Sequence, residues 1–435
     1  MNRDKLGNLR TWRGQAYRKP LIIKGARQVG KTWLVRKFGE EFEEFIEINF
    51  ERYPEYDEIF NRGLDPKKII SEISAATGNV ITPGKSLLFF DEVQQSPNAF
   101  KSLRYFYEEL PQLHLIAAGS LLGFTIEMVS TGVGRVSYLN LYPLTFGEFL
   151  DATGNEQLRN RILTTDSNEK LLEIHHSKLL DLLREYYLIG GMPSVISAFI
   201  NTSDLHLCQK IKSEIIQSFI DDFVKYAKDA EIPYLKNVFT AIPLQLGQKF
   251  VYSKIESGVR SYHFNKALDL LETAGLVYKI YHSKADGIPV QARINLSRFK
   301  VILFDIGLLQ EMLKVDLQLW MTTVDIATVN QGAIAEQFVG QELAAYSSVG
   351  KFSNLTYWHR EKRGSLAEVD YLLEHKGKVV PIEVKSNIQG GMKSMHSFLK
   401  ERQCDLGIKI SKYPFSFDGT VKTIPLYAVE KLFNY

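Results

Sequence analysis

The chain has 435 residues, of which 45% are hydrophobic and 24% charged, and its formal net charge is +3. This composition is ordinary for a soluble globular protein of two or three domains and argues against a disordered chain. Because a local basic groove can exist in a nearly neutral chain, the charge neither requires nor excludes nucleic acid. The two cysteines, Cys208 and Cys404, form neither a metal-binding spacing nor a disulfide framework. With no apolar signal region and no apolar run long enough to cross a bilayer, we expect a cytoplasmic protein that does not enter the membrane.

The clearest motif lies near the start of the chain. An apolar run at residues 21–23 is followed by a glycine-rich turn and then by a segment with helical spacing at residues 33–38. In this strand–loop–helix context, Gly25-x-x-x-x-Gly30-Lys31-Thr32 predicts a phosphate-binding P-loop. Backbone N–H groups and the helix N-terminus would surround the phosphates, Lys31 would reach the β- and γ-phosphates, and Thr32 would ligate Mg²⁺. The predicted nucleotide contacts are Gly25, Ala26, Arg27, Gln28, Val29, Gly30, Lys31, Thr32 and Trp33. The alternative, a chance match in an ordinary loop, is disfavoured by the flanking strand and helix.

A second apolar strand, residues 86–90, ends at two acidic residues, Asp91 and Glu92. A buried parallel strand that ends in acids is the Walker B pattern. We predict that Asp91 holds Mg²⁺ through water, and that Glu92 orients or deprotonates the attacking water. The alternative is a buried strand that happens to stop at acidic residues, and the upstream P-loop disfavours it.

A third apolar run, residues 113–118, ends at Gly119-Ser120. Ser120 could sense the γ-phosphate if its strand lies beside the Walker B strand, but serine is also common at strand ends. Strands that alternate with helices, such as the helix expected at residues 65–77, predict a doubly wound parallel sheet. Arg104 and Arg135 are possible arginine fingers, but a surface or salt-bridged role is the preferred explanation for each.

These segments resemble a known family, the prokaryotic ATPases that join an N-terminal AAA-type P-loop domain to a C-terminal restriction-endonuclease-like domain. The resemblance is carried by residues 25–32, 90–92, 118–120, 143–149 (Pro-Leu-Thr-Phe-Gly-Glu-Phe) and 187–193 (Tyr-Leu-Ile-Gly-Gly-Met-Pro). It continues through residues 304–309 and runs nearly end to end. It implies an ATPase that uses ATP and Mg²⁺, with a small helical lid where residues 166–230 have a helical pattern.

The pattern of predicted helices and strands changes in residues 232–292. The pattern predicts a helix (234–247), a short strand (250–252), a helix or turn (253–259), a helix (261–274), and a hairpin of 277–281 with 289–292. This is the order of a winged helix, whose third helix reads a DNA groove. That helix offers Arg260, His263, Asn265 and Lys266 beside the acidic Asp269 and Glu272. Contact with DNA and a purely protein-packing role are therefore both open.

The last part of the chain contains a possible second site. We predict a helix at 332–339, strands at 369–373 and 379–385, a helix that includes 395–399, and a strand at 407–410. Glu383 and Lys385 share one strand face, and Asp370 lies on the partner strand. With Glu336 from the helix, this resembles the PD-(D/E)xK nuclease core. Its carboxylates could hold Mg²⁺, and Lys385 could stabilise developing charge. Such folds also serve as binding modules, so cleavage remains open.

The predicted fold class is α/β, with a P-loop NTPase parallel sheet and helical lid, then a winged helix, then a restriction-endonuclease-like α/β domain. The predicted domains are residues 1–160, 161–231, 232–315 and 316–435. The predicted function is Mg²⁺-dependent ATP binding and hydrolysis by an AAA-type ATPase, coupled to DNA binding or processing. The alternatives are a nucleotide-switched regulator that binds DNA or protein without cleaving it, and an ATPase scaffold that assembles protein partners.

Overall fold

The computed structural model describes residues 2–120, 134–166, 169–316, 331–347, 355–361, 367–385 and 392–433. The chain forms two compact units. The first is Met1–Tyr142 with two short later segments, and the second contains nearly all of the chain from Pro143 onward. Among the helices of the described ranges, none is both long and apolar enough to cross a membrane.

The first unit is built on a five-stranded sheet. The strands are β1 (Leu21–Gly25), β2 (Glu44–Asn49), β3 (Ser86–Asp91), β4 (His114–Ser120) and β5 (Ser137–Asn140). Their order is β2-β3-β4-β1-β5, and all neighbours are parallel. Every residue of β3 is buried, which is why its sequence is nearly continuous in apolar residues. The predicted parallel sheet is confirmed.

Helices cover this sheet. They are α1 (Lys5–Arg13), α2 (Lys31–Gly39), α3 (Asp57–Asn61), α4 (Pro66–Thr77) and α5 (Pro97–Glu109). The predicted helix at 65–77 is confirmed as α4. Asp65 fixes its start, because its side chain accepts hydrogen bonds from the amides of Lys67 and Lys68, and Pro66 occupies the first helical position. Ile69 and Ile73 of α4 then join Phe90 of β3 in one apolar core.

The second unit is rich in helices. They are α6 (Phe146–Ala152), α7 (Glu156–Thr164), α8 (Glu173–Ile189), α9 (Pro193–Thr202), α10 (Leu205–Tyr226), α11 (Ile232–Ala241), α12 (Ser261–Thr273), α13 (Ile306–Met312), α14 (Gln331–Tyr346) and α15 (Lys393–Arg402). The helical pattern of residues 166–230 is confirmed as α8, α9 and α10. A capping box of Thr145 and Glu148 begins α6.

The second unit also contains an eight-stranded sheet. Its strands are β6 (Val277–Ser283), β7 (Ile294–Leu303), β8 (Thr356–His359), β9 (Glu368–His375), β10 (Lys378–Lys385), β11 (Gly407–Ser411), β12 (Ser416–Phe417) and β13 (Val421–Pro425). The order is β12-β13-β11-β10-β9-β8-β6-β7. The predicted strands near 369–373, 379–385 and 407–410 are confirmed, and β9 and β10 form the expected antiparallel hairpin.

Three predictions for residues 232–292 are wrong. The helix expected at 234–247 ends at Ala241, just before Pro243, which cannot donate a helical hydrogen bond. Residues 250–252 do not form a strand, because a 3₁₀ helix begins at Tyr252. The second strand of the hairpin is β7, not residues 289–292: Pro289 has no N–H for a strand ladder, and the amide of Val290 donates to the Glu374 carboxylate.

The hairpin of β6 and β7 belongs to the larger sheet. β6 pairs in parallel with β8 through Tyr281↔Thr356 and His282↔Tyr357. The two strands therefore continue the sheet that carries the Asp370 and Glu383 strands, β9 and β10. The winged helix stays a prediction.

Candidate functional site

The predicted P-loop lies between β1 and α2. β1 ends at Gly25 and α2 begins at Lys31, so the loop joins a strand to a helix N-terminus. Gly30 has a φ of +94°, a conformation that glycine adopts without strain. A Cβ atom on Gly25 would lie 2.4 Å from the backbone oxygen of Leu141, so this position accepts only glycine. Backbone geometry therefore favours glycine at both positions: a close backbone contact at Gly25 and a positive φ at Gly30.

Lys31 is buried, and its side chain folds back onto the P-loop. Its Nζ donates to the backbone oxygens of Gly25 at 3.1 Å and Ala26 at 3.0 Å. Burial lowers the pKa of its ammonium to about 8, although Glu92 and Asp91 act in the opposite direction. An anionic phosphate would favour the charged form, since an opposite charge nearby stabilises an ammonium.

Asp91 at the end of β3 meets the P-loop directly. The Thr32 hydroxyl donates to Asp91 Oδ2 at 2.9 Å. Burial, followed by the neighbouring Glu92, raises the pKa of the Asp91 carboxyl to about 6. The two residues predicted to hold Mg²⁺ are therefore adjacent, and a hydroxyl beside a carboxylate is the oxygen-rich set that Mg²⁺ prefers.

Glu92 follows the strand in a left-handed conformation with a φ of +51°. Its amide donates to Asp91 Oδ1 at 3.1 Å. Its own carboxylate accepts a hydrogen bond from Gln94 Nε2 at 2.5 Å. The carboxylate of the predicted water-activating residue thus has a partner, Gln94, that the sequence analysis did not identify.

Asn49 is a second residue that the sequence analysis missed. It ends β2 opposite Asp91 in the strand register, and its Nδ2 donates to Asp91 Oδ2 at 3.1 Å. Its Oδ1 accepts from the amides of Glu51 and Arg52 at 3.1 and 2.8 Å. A polar residue at the end of a strand beside Walker B is the signal that could have identified it.

The other residues predicted for the nucleotide site also belong to the first unit. β4 lies between β1 and β3, and the register pairs Ser120 with Gly25. The Ser120 side chain lies outside the described part of the structure, so its sensing role stays a prediction. Trp33, in the first turn of α2, is 42% exposed. Arg104 and Arg135 both form ion pairs with Glu108, at 2.9 and 3.4 Å.

The second predicted site forms a cluster of charged side chains in the second unit. Lys385 Nζ lies 2.6 Å from Glu383 Oε1, as expected for side chains on one strand face. The Val384 amide donates to Asp370 Oδ2 at 2.8 Å, which fixes that carboxylate across the β9–β10 hairpin. Burial raises the pKa of both the Asp370 and the Glu383 carboxyl groups. Glu336 of α14 is buried at the same cluster.

A buried lysine that the sequence analysis missed lies among these acids. Lys300 of β7 is 2% exposed, and its Nζ lies 2.8 Å from Glu336 Oε1, 2.5 Å from Glu368 Oε1 and 3.9 Å from Asp370 Oδ1. Burial opposes its charge, but Glu336, Asp370 and Glu368 together raise the pKa of its ammonium. The sequence feature that could have identified Lys300 is a lysine within an apolar strand segment. Residues 299–303 of this segment are all buried.

Comparison with protein families finds a match for the N-terminal part of the chain. Residues 17–150 match the model of an AAA domain family. Residues 180–319 and 331–429 match two domain families of unknown function, DUF8612 and DUF4143. No curated protein sequence matches the chain.

The solved structures similar to this one include two at low identity. One is the Walker-type ATPase PABY2304 of Pyrococcus abyssi, at 14% identity and a TM-score of 0.47 over 71% of this chain and 95% of that chain. The other is PCH-2 of C. elegans, at 12% identity and a TM-score of 0.28 over 47% of this chain and 63% of that chain. The AAA family match and the five-stranded parallel sheet together make the N-terminal part an AAA-type P-loop domain, which supports ATP binding and hydrolysis.

Proposed function

We propose that the protein hydrolyses ATP in a Mg²⁺-dependent reaction at the site formed by Lys31, Thr32 and Asp91. The observation that carries this proposal is the 2.9 Å hydrogen bond from Thr32 to Asp91, which joins the P-loop to the end of β3. If the P-loop pattern were a chance match, nothing would favour a hydrogen bond between the Thr32 hydroxyl and the buried carboxylate of Asp91, which is far away in the sequence. In this proposal the P-loop binds the phosphates, and Thr32 and Asp91 bind the metal beside it.

Each residue has a role set by its chemistry. The loop amides of residues 25–30 and the Lys31 ammonium would bind the phosphates, and Thr32 and Asp91 would hold the metal. When bound, Mg²⁺ neutralises charge on the phosphates. Glu92 would orient the attacking water and accept its proton. Asn49 would keep Asp91 in place through its 3.1 Å hydrogen bond, and Ser120 would contact the γ-phosphate.

The Glu92→Gln variant tests this proposal. Removing a general base is expected to lower the hydrolysis rate by a factor of about 10²–10⁴, while ATP binding is retained because Lys31, Thr32 and Asp91 are unchanged. Phosphate release and equilibrium ATP binding would be measured side by side. Glu109→Gln, an exposed acid at the end of α5, is the matched control and should behave as the wild type. A Glu92→Gln rate equal to the wild-type rate would refute the role of Glu92.

We propose further that the second unit binds DNA and that the nucleotide state changes this binding. The resemblance of Asp370, Glu383 and Lys385 to a nuclease core supports the choice of DNA. In this proposal residues 161–231 form a lid, 232–315 a winged helix and 316–435 the restriction-endonuclease-like domain. Helix α12 adds little support, because its Lys266 pairs with Glu231 and its Asn265 bonds to Tyr252 and Asp269.

One observation favours binding without cleavage. Lys300 lies within ion-pair distance of Glu336 and Glu368, at 2.8 and 2.5 Å, so two of the nearby acids are already paired with a cation of the chain. Glu336 is one of the carboxylates that a metal-dependent nuclease would need here as a metal ligand. The regulator that engages DNA without cutting it is therefore the form of the proposal that we favour.

A cleavage and binding assay separates the possibilities. Duplex DNA would be incubated with Mg²⁺ or Mn²⁺, with and without ATP, and with wild type, Lys31→Ala or Asp370→Asn. We expect salt-sensitive DNA binding, altered in Lys31→Ala, and no cleavage by any protein. Cleavage that Asp370→Asn abolishes would establish a nuclease instead. Absence of DNA binding at low salt would refute the DNA proposal and favour a protein partner.

A further inference from the structure

We propose that Lys300 is an internal counter-ion that occupies the cation position of the acidic cluster, so that a divalent metal ion can enter only by displacing it. The cluster is defined as Glu336, Glu368, Asp370 and Glu383 together with Lys300 and Lys385. This inference concerns the same cluster as the proposed DNA-binding function. Its test uses neither DNA nor ATP, so the two can fail independently.

The position of the ammonium supports this assignment. Lys300 Nζ lies 2.8 Å from Glu336 Oε1 and 2.5 Å from Glu368 Oε1, so it joins α14 to the start of β9. It is also 3.9 Å from Asp370 Oδ1 and 5.3 Å from the ring centroid of Tyr357. Carboxylates on two sides and an aromatic face on another form a cation site, and a lysine of the chain fills it.

The charge of the cluster explains why a cation is needed there. The cluster contains four carboxylates and two ammonium groups, of which Lys300, Glu336 and Glu383 are buried and the others partly buried. Lys385 pairs with Glu383 at 2.6 Å. Without Lys300, three acids would be left with no ion-pair partner in the cluster. Removing one member of a buried ion pair is strongly destabilising, because it leaves an uncompensated charge. A divalent cation is the natural replacement, since it would supply more positive charge to the same oxygens.

The acids are not disposed as a metal-ligand set while Lys300 is present. Among the described residues, no group of three His, Cys, Asp or Glu side chains is placed so that it could hold a metal ion. One ligand is nevertheless available, because the buried Glu383 Oε2 has no hydrogen-bond partner in the described part of the chain. Lys300 itself is too deeply buried to contact a DNA phosphate, which excludes a direct phosphate-binding role for it.

Replacing Lys300 by methionine tests the proposal, because methionine keeps the length of the side chain and removes its charge. Nucleotide-free wild type should show the same unfolding temperature in EDTA and in millimolar Mn²⁺. Lys300→Met should unfold at a lower temperature in EDTA, and Mn²⁺ should raise that temperature by about 5–10 °C, as saturating binding to the folded state does. Titration with Mn²⁺, followed by electron paramagnetic resonance of the free ion, should show a site in Lys300→Met that the wild type lacks. Equal Mn²⁺ binding by the two proteins would overturn the proposal.

Two further proteins complete the test. Lys279 on β6 is a matched control: it is also buried and paired with two acids, Asp269 and Glu272, but lies outside the cluster. Lys279→Met should therefore gain no Mn²⁺ site. Asp370→Asn tests the wild-type state without any substitution of Lys300. If the wild type binds one more Mn²⁺ than Asp370→Asn does, the cluster already holds metal and the proposal is wrong, even if Lys300→Met fails to fold.

Discussion

ATP hydrolysis is expected to fall by a factor of about 10²–10³ when Lys31 is replaced by alanine, because a preorganised cation is lost where charge develops on the phosphates. Binding of ATP should weaken as well, since Lys31 is the one P-loop side chain that reaches the terminal phosphates in the proposed mechanism. Phosphate release and ATP titration give both quantities. The fluorescence of Trp33, two residues along α2 and 42% exposed, offers a reporter in the same protein.

The effect of Lys31→Ala on activity should be separable from any effect on folding. Burial lowers the pKa of the Lys31 ammonium to about 8, so the folded first unit gains no stability from that charge. Thermal unfolding would be measured beside activity, because Lys31→Ala also loses the hydrogen bonds of Lys31 Nζ to the backbone oxygens of Gly25 and Ala26. Lys37→Ala, on the same helix but exposed and paired with Glu40 at 2.6 Å, is the matched control and should retain full activity. Wild-type hydrolysis by Lys31→Ala would refute the proposed site.

The second large effect is expected from Gly191→Ala, which should destabilise the second unit by about 3 kcal/mol or more. A Cβ atom there would lie 2.2 Å from the backbone oxygen of Leu144 and 2.9 Å from its nitrogen. Neither atom can move freely, because Leu144 N donates to Gly191 O at 2.7 Å and Leu144 O accepts from the Tyr186 hydroxyl at 2.5 Å. The Gly191 amide is also bound by buried Asp305 at 2.7 Å.

Chemical denaturation followed by circular dichroism would measure this loss. Gly287→Ala is the control, because a Cβ atom at Gly287 would meet no atom within 4 Å and its φ is not positive. It should leave the free energy of unfolding nearly unchanged. If both variants unfold alike, the close backbone approach at Gly191 is not a determinant of stability.

Residues 190–193 and 304–309 meet at one corner of the second unit. Asp305 accepts hydrogen bonds from the amides of Gly191 and Leu308, at 2.7 and 2.9 Å, and so joins the end of α8 to the start of α13. Gly307 approaches the same corner so closely that a Cβ atom would lie 2.4 Å from Ile189 O. The contacts of Asp305 and Gly307 therefore give residues 304–309 a structural role.

The sequence by itself determined the features that depend on residues close together in the chain. The P-loop is a local strand–loop–helix segment, so its glycines, Lys31 and Thr32 could be recognised from spacing alone. The acids after β3 were equally visible, because the carboxyl ends of parallel strands gather functional groups at one sheet edge. The β9–β10 hairpin placed Asp370, Glu383 and Lys385 together for the same local reason.

Only the tertiary structure decided which distant residues complete these sites. Asn49 reaches Asp91 because β2 pairs with β3, and β7 rather than residues 289–292 pairs with β6. Lys300 meets Glu336 and Glu368 because α14 and the start of β9 converge on β7. A buried charge is stable only where partners from other elements surround it, and no local pattern in the sequence specifies those partners. The sequence thus determined the chemistry available at each site, and the packing of distant elements determined that the acidic cluster carries its own cation.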